Sequence, residues 1–171
     1  MAYQAVGRAI PRVDALEKAT GSAIYAGDIR LPRLLHGKVL TSPLPHARIT
    51  NIDVSRALRL PGVRAAITGR DTPGVRLGPM LRDQPVIATD KVRFKGEYIA
   101  AVAATDPQIA EEALDLIRVE YEELPAVFDP LEAMQPDAPI IHEDLSSYSM
   151  NFKTSRYGNV CTHLKVHHGD M

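Results

Sequence analysis

Between residues 90 and 125 the spacing of apolar positions changes period several times, and each change predicts a different element. Residues 91–94 read as a short strand, and Lys95-Gly96 as a tight turn leading into the next. Residues 98–104 are an unbroken apolar run of strand length, which suits a strand covered on both faces. Thr105 or Asp106 can cap a following helix, and Pro107 fits its first turn, where a missing N–H costs nothing. At about 100° per residue, Ile109, Ala110, Ala113, Leu114, Leu116 and Ile117 fill one broad arc. Gln108, Glu111, Glu112 and Asp115 fill the opposite one. Residues 118–122 alternate, so Val119 and Tyr121 point one way, as in a half-buried strand. Strand, helix and returning strand predict a compact unit that buries one helix face.

Upstream the pattern comes in shorter pieces. Residues 1–10 read as an extended lead-in. Asp14 with Glu17 predicts a capping box, and Gly21 the end of the short helix it opens. Residues 22–25 predict a strand. A turn follows at Pro32, because proline disfavours helix for Leu31 before it. Residues 34–40 alternate weakly and predict a strand with a bulge at Gly37. Pro43 and Pro45 make residues 41–45 irregular. Residues 48–54 predict a second alternating strand, after which Asp53 or Ser55 caps a short helix that Pro61-Gly62 stops. Residues 63–67 predict a third strand. Residues 68–85 dissolve into glycine, proline and scattered charge, and a loop that long is commonly functional or a contact surface.

Downstream, Pro125, Pro130, Pro136 and Pro139 space out a segment in which only residues 129–134 have helical character. Ile140-Ile141 is an apolar pair suited to docking on the body. Residues 143–158 are polar and serine-bearing, as in a linker, and residues 160–167 predict one more strand. The chain stops at Met171 without a closing element, which predicts a fragment.

Composition narrows the function classes. A chain of 171 residues buries roughly 70% of its unfolded surface, enough for one real core. Its 20 basic and 21 acidic residues leave no field to attract nucleic acid or anionic lipid. No stretch approaches the roughly 20 apolar residues of a membrane span, and the N-terminus lacks a signal pattern. The single cysteine, Cys161, has no internal partner, so a reducing, cytoplasmic setting is expected.

Candidate chemistry is sparse. Cys161, His163, His167 and His168 are zinc-type donors, but they lack the two separated ligand pairs usual for zinc, and a solvated tail is the favoured reading. Glu111 and Glu112, with Glu120, Glu122 and Glu123, could resemble an acid–base pair. They fall on the polar arc of a helix and the open face of a strand, where a hydrated surface is expected. The glycines from Gly69 to Gly78 are followed by Pro79-Met80 and not by the Lys-Ser/Thr of a phosphate loop. His36 and His46 sit beside glycine and proline, as turn or surface histidines do, and no serine lies in a nucleophile elbow. From the residues alone the chain is a soluble α+β domain with no catalytic, cofactor-binding or metal residue to nominate.

Several phrases, in order, resemble the start of the molybdopterin-binding large subunit of molybdenum hydroxylases, the xanthine dehydrogenase, aldehyde oxidase and carbon monoxide dehydrogenase family. They are Arg12-x-Asp14 to Glu17-Lys18-x-Thr20-Gly21, Tyr25-x-x-Asp28, Leu35-His36-Gly37 to Ser42-Pro43, and His46-Ala47-Arg48-Ile49 with Asp53. Pro61-Gly62-Val63, Thr68-Gly69-x-Asp71 and Lys91-Val92-Arg93-Phe94-x-Gly96-Glu97 follow. Ala110-Glu111-Glu112-Ala113-Leu114, Val119-Glu120-Tyr121 and Leu124-Pro125-Ala126 close the series. The family often has proline where Tyr98 follows Gly-Glu, and glycine where Arg33 follows Pro32.

The resemblance implies an α/β-hammerhead over residues 1–142, with small mixed sheets packed on one main helix and short helices. Residues 143–171 would be a linker, with Gly169-Asp170 starting the connector to a cofactor-binding region outside this chain. It implies an oxidoreductase that hydroxylates with water as oxygen source, or the related hydroxybenzoyl thioester reduction, and a fragment that is scaffold and interface and inactive alone. Molybdopterin-molybdenum would lie in the rest of the large subunit, and iron–sulfur clusters and FAD on partner subunits or domains. A stand-alone hammerhead adaptor that binds a protein partner is the rival expectation.

Overall fold

The computed structural model describes residues 6, 7, 9–151 and 154–169. The lead-in expected for residues 1–10 therefore lies mostly outside the described residues, as does Asp170 of the expected connector. The described chain divides into two units after Leu34.

The first unit is local structure without a core, since none of its described residues is buried. Helix α1 (Ala15–Thr20) ends at Gly21, whose φ of 73° lets the Ser22 N–H reach back to the Glu17 carbonyl at 2.9 Å. The expected capping box does not form. Asp14 has a non-extended backbone, and its carboxylate instead takes Lys18 at 2.5 Å and Arg12 at 3.2 Å. Residues 22–25 find no neighbouring strand and stay irregular, ahead of a 3-10 turn at Ala26–Asp28. Asp28 Oδ2 accepts the Tyr25 N–H at 3.0 Å.

The unit closes on a turn in which the Leu34 N–H donates to the Leu31 carbonyl at 3.2 Å, with Pro32 second and Arg33 third at φ 63°. That is a type II turn, whose third position favours glycine. A side chain held there costs about 1 kcal/mol. Arg33→Gly is therefore expected to slow hydrogen exchange of the Leu34 amide roughly fivefold. Unchanged exchange would mean the turn is not under strain.

In the second unit every strand pairing is antiparallel. Strands β1 (His36–Thr41), β2 (Ala47–Asp53) and β3 (Val63–Thr68) come first, with helix α2 (Ser55–Arg59) between the last two. A short hairpin of β4 (Arg76–Leu77) and β5 (Gln84–Pro85) precedes β6 (Lys91–Val92). Then come β7 (Tyr98–Ala104), helix α3 (Pro107–Asp115), β8 (Arg118–Glu123) and α4 (Pro130–Ala133). The sheets have the orders β1-β7-β3, β6-β2-β8 and β4-β5. This is the expected α+β arrangement of small sheets with one main helix.

The main helix forms as its sequence predicts. Asp106 Oδ1 accepts the Gln108 N–H at 2.7 Å, and Pro107 occupies the first turn. Ala110, Ala113 and Ile117 pack on Ala100, Val102 and Ala104 of β7, with Ala57 of α2 beside them. Alanine on both sides lets helix and sheet approach closely. On the other face of β7, Ile99 meets Ala47, Ala88 and Val92, with Val119 and Tyr121 of β8 packed against them.

Several expectations need correction. The turn at Gly96 (φ 96°) forms as expected, but it carries the chain between sheets, since β6 pairs with β2 while β7 lies in the other sheet. Likewise β8 does not return beside β7, whose two edges already pair with β1 and β3. It pairs with β2, where Arg48 meets Glu122 at 3.2 Å. The bulge of β1 falls at Leu40/Thr41, and Gly37 pairs in register with Ala103. Residues 160–167 form no strand, and only a single bridge joins Tyr157 to Val160.

The segment after His142 is held by specific contacts. Leu145 and Tyr148 are buried. Arg156 Nη1 donates to the Leu145 and Tyr148 carbonyls at 2.9 and 2.8 Å, and Leu81 forms a bridge with Met150.

Candidate functional site

The buried charges of the second unit converge beside β6. Lys91, with its side chain only 6% exposed, meets the Glu143 carboxylate at 2.5 Å. The Glu97 side chain turns back so that Oε2 accepts the Arg93 N–H at 2.6 Å, and Glu97 is itself buried. Arg93 donates from Nη1 to the Lys91 carbonyl at 3.2 Å. Among the described residues, its buried Nε has no partner. A cavity of about 160 Å3 is lined by Asp83, Gln84, Pro85, Arg93, Phe94, Glu97 and His142. His142 stands edge-on to Tyr148, with ring centres 5.7 Å apart and Nδ1 3.2 Å from the phenol oxygen. The Arg76 guanidinium lies 4.8 Å over the same phenol ring.

Burial raises the Glu97 pKa from its ordinary value, against the lowering effect of the Arg93 N–H and charge. Burial lowers that of His142, helped by the positive charges of Arg93, Lys91 and Arg76 and opposed by Asp83. For Glu143 burial acts upward, but the bond from Lys91 and its charge outweigh it and the pKa falls.

The signs follow by linkage. Glu97 favours the fold fully while protonated, below its unfolded value, and that contribution is lost as pH rises through the raised value. His142 and Glu143 act oppositely: their contributions stand above the unfolded values and are lost as pH falls through the lowered ones. Glu97→Gln keeps an acceptor for the Arg93 N–H without a buried charge. It is expected to gain stability over the parent as pH rises above 4.5, measured as the difference in urea midpoints between acid and neutral pH. A constant difference across that range would refute it.

The residues weighed from the sequence lie elsewhere. Cys161, His163, His167 and His168 are all exposed. Among the described residues, no group of three or more His, Cys, Asp or Glu is placed to hold a metal ion. Glu111, Glu112, Glu120, Glu122 and Glu123 are exposed, with Glu111 pairing with Lys38 at 3.0 Å. His46 is not a surface histidine. It is buried, and its Nδ1 donates to the Pro125 carbonyl at 2.6 Å, tying the start of β2 to the end of β8. The cue to the charged cluster was the charge embedded at Lys91, Arg93 and Glu97 next to an apolar run, but its partners His142 and Glu143 lie about fifty residues on.

A second cavity, about 310 Å3 and so larger than the one at Arg93, lies beside β2 and α2 and is lined by Thr50, Asn51, Thr68, Arg70, Asp71 and Thr89 among others. Asp71 is held by the Thr68 N–H at 2.8 Å and its hydroxyl at 3.1 Å.

Comparison with known proteins assigns the body. The family model described as "Aldehyde oxidase and xanthine dehydrogenase, a/b hammerhead domain" matches residues 20–125. The chain belongs to this hammerhead family. It is 41% identical over 159 residues to the nicotinate dehydrogenase large molybdopterin subunit of Eubacterium barkeri. It is 46% identical over 134 residues to a probable xanthine dehydrogenase subunit of Bacillus subtilis. These alignments cover 92% and 78% of this chain, but only 37% and 18% of those relatives. The solved Cu,Mo-CO dehydrogenase in its carbon monoxide reduced state superposes with a TM-score of 0.74 at 39% identity, over 81% of this chain and 18% of that one.

The hammerhead match takes in all of β1 to β8 and both cavities' strand walls. Neither cavity fits a molybdopterin. The pterin's phosphate needs several converging donors and cations, whereas the larger cavity offers Arg70 beside Asp71 and the smaller sets Arg93 against Asp83 and Glu97.

Proposed function

We propose that this chain is the hammerhead part of the molybdopterin-binding large subunit of a molybdenum-dependent oxidoreductase, and that it acts as scaffold and interface. The observation that carries this is the match over residues 20–125, which takes in all three sheets, together with relatives of which the chain spans only 37% and 18%. The local chemistry supports it. The buried polar groups are engaged within the fold, as structural groups are: Lys91 holds Glu143 of the distant downstream segment, and Glu97 accepts the Arg93 N–H.

In this reading residues 1–142 form the hammerhead and residues 143–171 lead to a cofactor-binding region. The remainder of the large subunit is then the first partner, with iron–sulfur and flavin subunits beyond it, in a reducing cytoplasm that suits the exposed thiol of Cys161. Whether the whole enzyme hydroxylates with water or reduces a hydroxybenzoyl thioester is decided in the cofactor-binding region. Among the described residues no helix is long and apolar enough to cross a membrane.

Metal analysis and an aldehyde or purine oxidation assay on the purified 171-residue chain test the reading directly. The expected result is substoichiometric molybdenum and no turnover. Stoichiometric molybdenum, or catalysis by the chain alone, would overturn it.

A further inference from the structure

The sheet β1-β7-β3 is covered along one face and, on the other, only at its Ile99 end. Its α3 side is the main core, but past Ile99 the other face has no cover from the described residues of the second unit itself. Two cross-strand rows lie there in register, Val39–Ala101–Ile67 and Gly37–Ala103–Ala65. None of the six belongs to either buried cluster, and Val39 and Ile67 are 43% and 41% exposed. The six positions are uncharged and centre on the middle strand, whose continuous apolar run is of the kind found where both faces are buried.

Its size selects the occupant. Strand spacing and rise give a patch of roughly 200 Å2, against about 800 Å2 per partner in a stable interface between separate chains. A second copy or a free protein gains too little there to offset lost translational freedom. A tethered segment escapes most of that cost. We infer that this face is the seat of an apolar segment, a helix with small side chains on its contact side, from the portion of the large subunit that lies outside this chain. The helix assignment follows the molecule's own precedent: the opposite face of β7 is equally alanine-rich and takes the alanine side of α3. The inference rests on the reading that the hammerhead is built into a longer subunit, whose relatives carry the additional length.

The test places a reporter thiol on the face and compares two contexts. Ile67→Cys, in a Cys161→Ser background, is labelled with a maleimide and read by site-resolved mass spectrometry. This is done in the 171-residue chain and in a chimera. The chimera is the Bacillus subtilis relative with residues 20–125 of this chain in place of its own matched segment. Glu112→Cys, on the exposed side of α3, is the control. Val39→Cys is the second reporter should the first disturb folding.

The expected result is fast labelling in the chain, slowing at least about tenfold in the chimera, with the control unchanged. Equal labelling in a soluble, folded chimera would remove the docking face while leaving the large-subunit reading intact. A chimera that fails to fold even without a reporter would remove both. Slow labelling in the isolated chain together with a dimer in ultracentrifugation would assign the face to a second copy and overturn the inference.

Discussion

Gly69→Ala is expected to lower stability by about 3 kcal/mol or more, read as a fall in urea midpoint with the slope unchanged. Gly69 is buried in the 3-10 turn that follows β3. A Cβ built there would stand 2.4 Å from the Ala88 carbonyl oxygen and 2.8 Å from both the Ala88 carbonyl carbon and the Thr89 Cα. All three are backbone atoms, so no side chain can swing aside. The strand entry must move, and Ala88 is poorly placed to move: it is fully buried against Ile99 and donates its N–H to the Tyr98 carbonyl at 2.7 Å. The penalty is therefore transmitted to the second core. Gly37→Ala is the contrasting control, since its Cβ would meet only the Val102 carbonyl oxygen at 3.9 Å. A loss there as large as at Gly69 would refute the steric account.

Gly69 also marks how far the sequence could be read. The elements whose local rules act alone were legible: β7 as an apolar run, α3 from its cap and arc, β8 from its alternation, and the stop at Pro61-Gly62. What local rules could not state was which strands become neighbours. The turn expected at Lys95-Gly96 forms, but it says nothing of pairing: β6 goes to β2, because β7 finds β1 and β3 across distances no turn encodes. The capping box at Asp14 failed for a similar reason: a lysine one turn on competes for the same carboxylate. The 68–85 loop looked patternless, and its order comes from backbone contacts at Gly69 and Gly78 that leave only glycines as a trace. The charged cluster around Glu97 was hidden because its groups are drawn from residues 76–148.

The same cluster supplies the second large effect, an asymmetry between the partners of one ion pair. Lys91 is almost enclosed, while the Glu143 side chain is 61% exposed. Removing the lysine leaves a carboxylate that water can solvate, so Lys91→Met is expected to cost under about 1 kcal/mol. Removing the acid leaves an ammonium with neither counterion nor solvent, beside the cationic Arg93. Glu143→Gln is therefore expected to cost about 2–3 kcal/mol, near the lower end for a broken buried pair because one partner was already wet. The double variant should recover to roughly the level of Lys91→Met, which a double-mutant cycle at neutral pH measures. Because Glu143 begins the segment that buries Leu145 and Tyr148, the single Glu143→Gln variant should also speed amide exchange across residues 143–151 and leave α3 unchanged. Equal small losses for both single variants would mean that solvent reaches Lys91 and that the pair does not hold the segment in place.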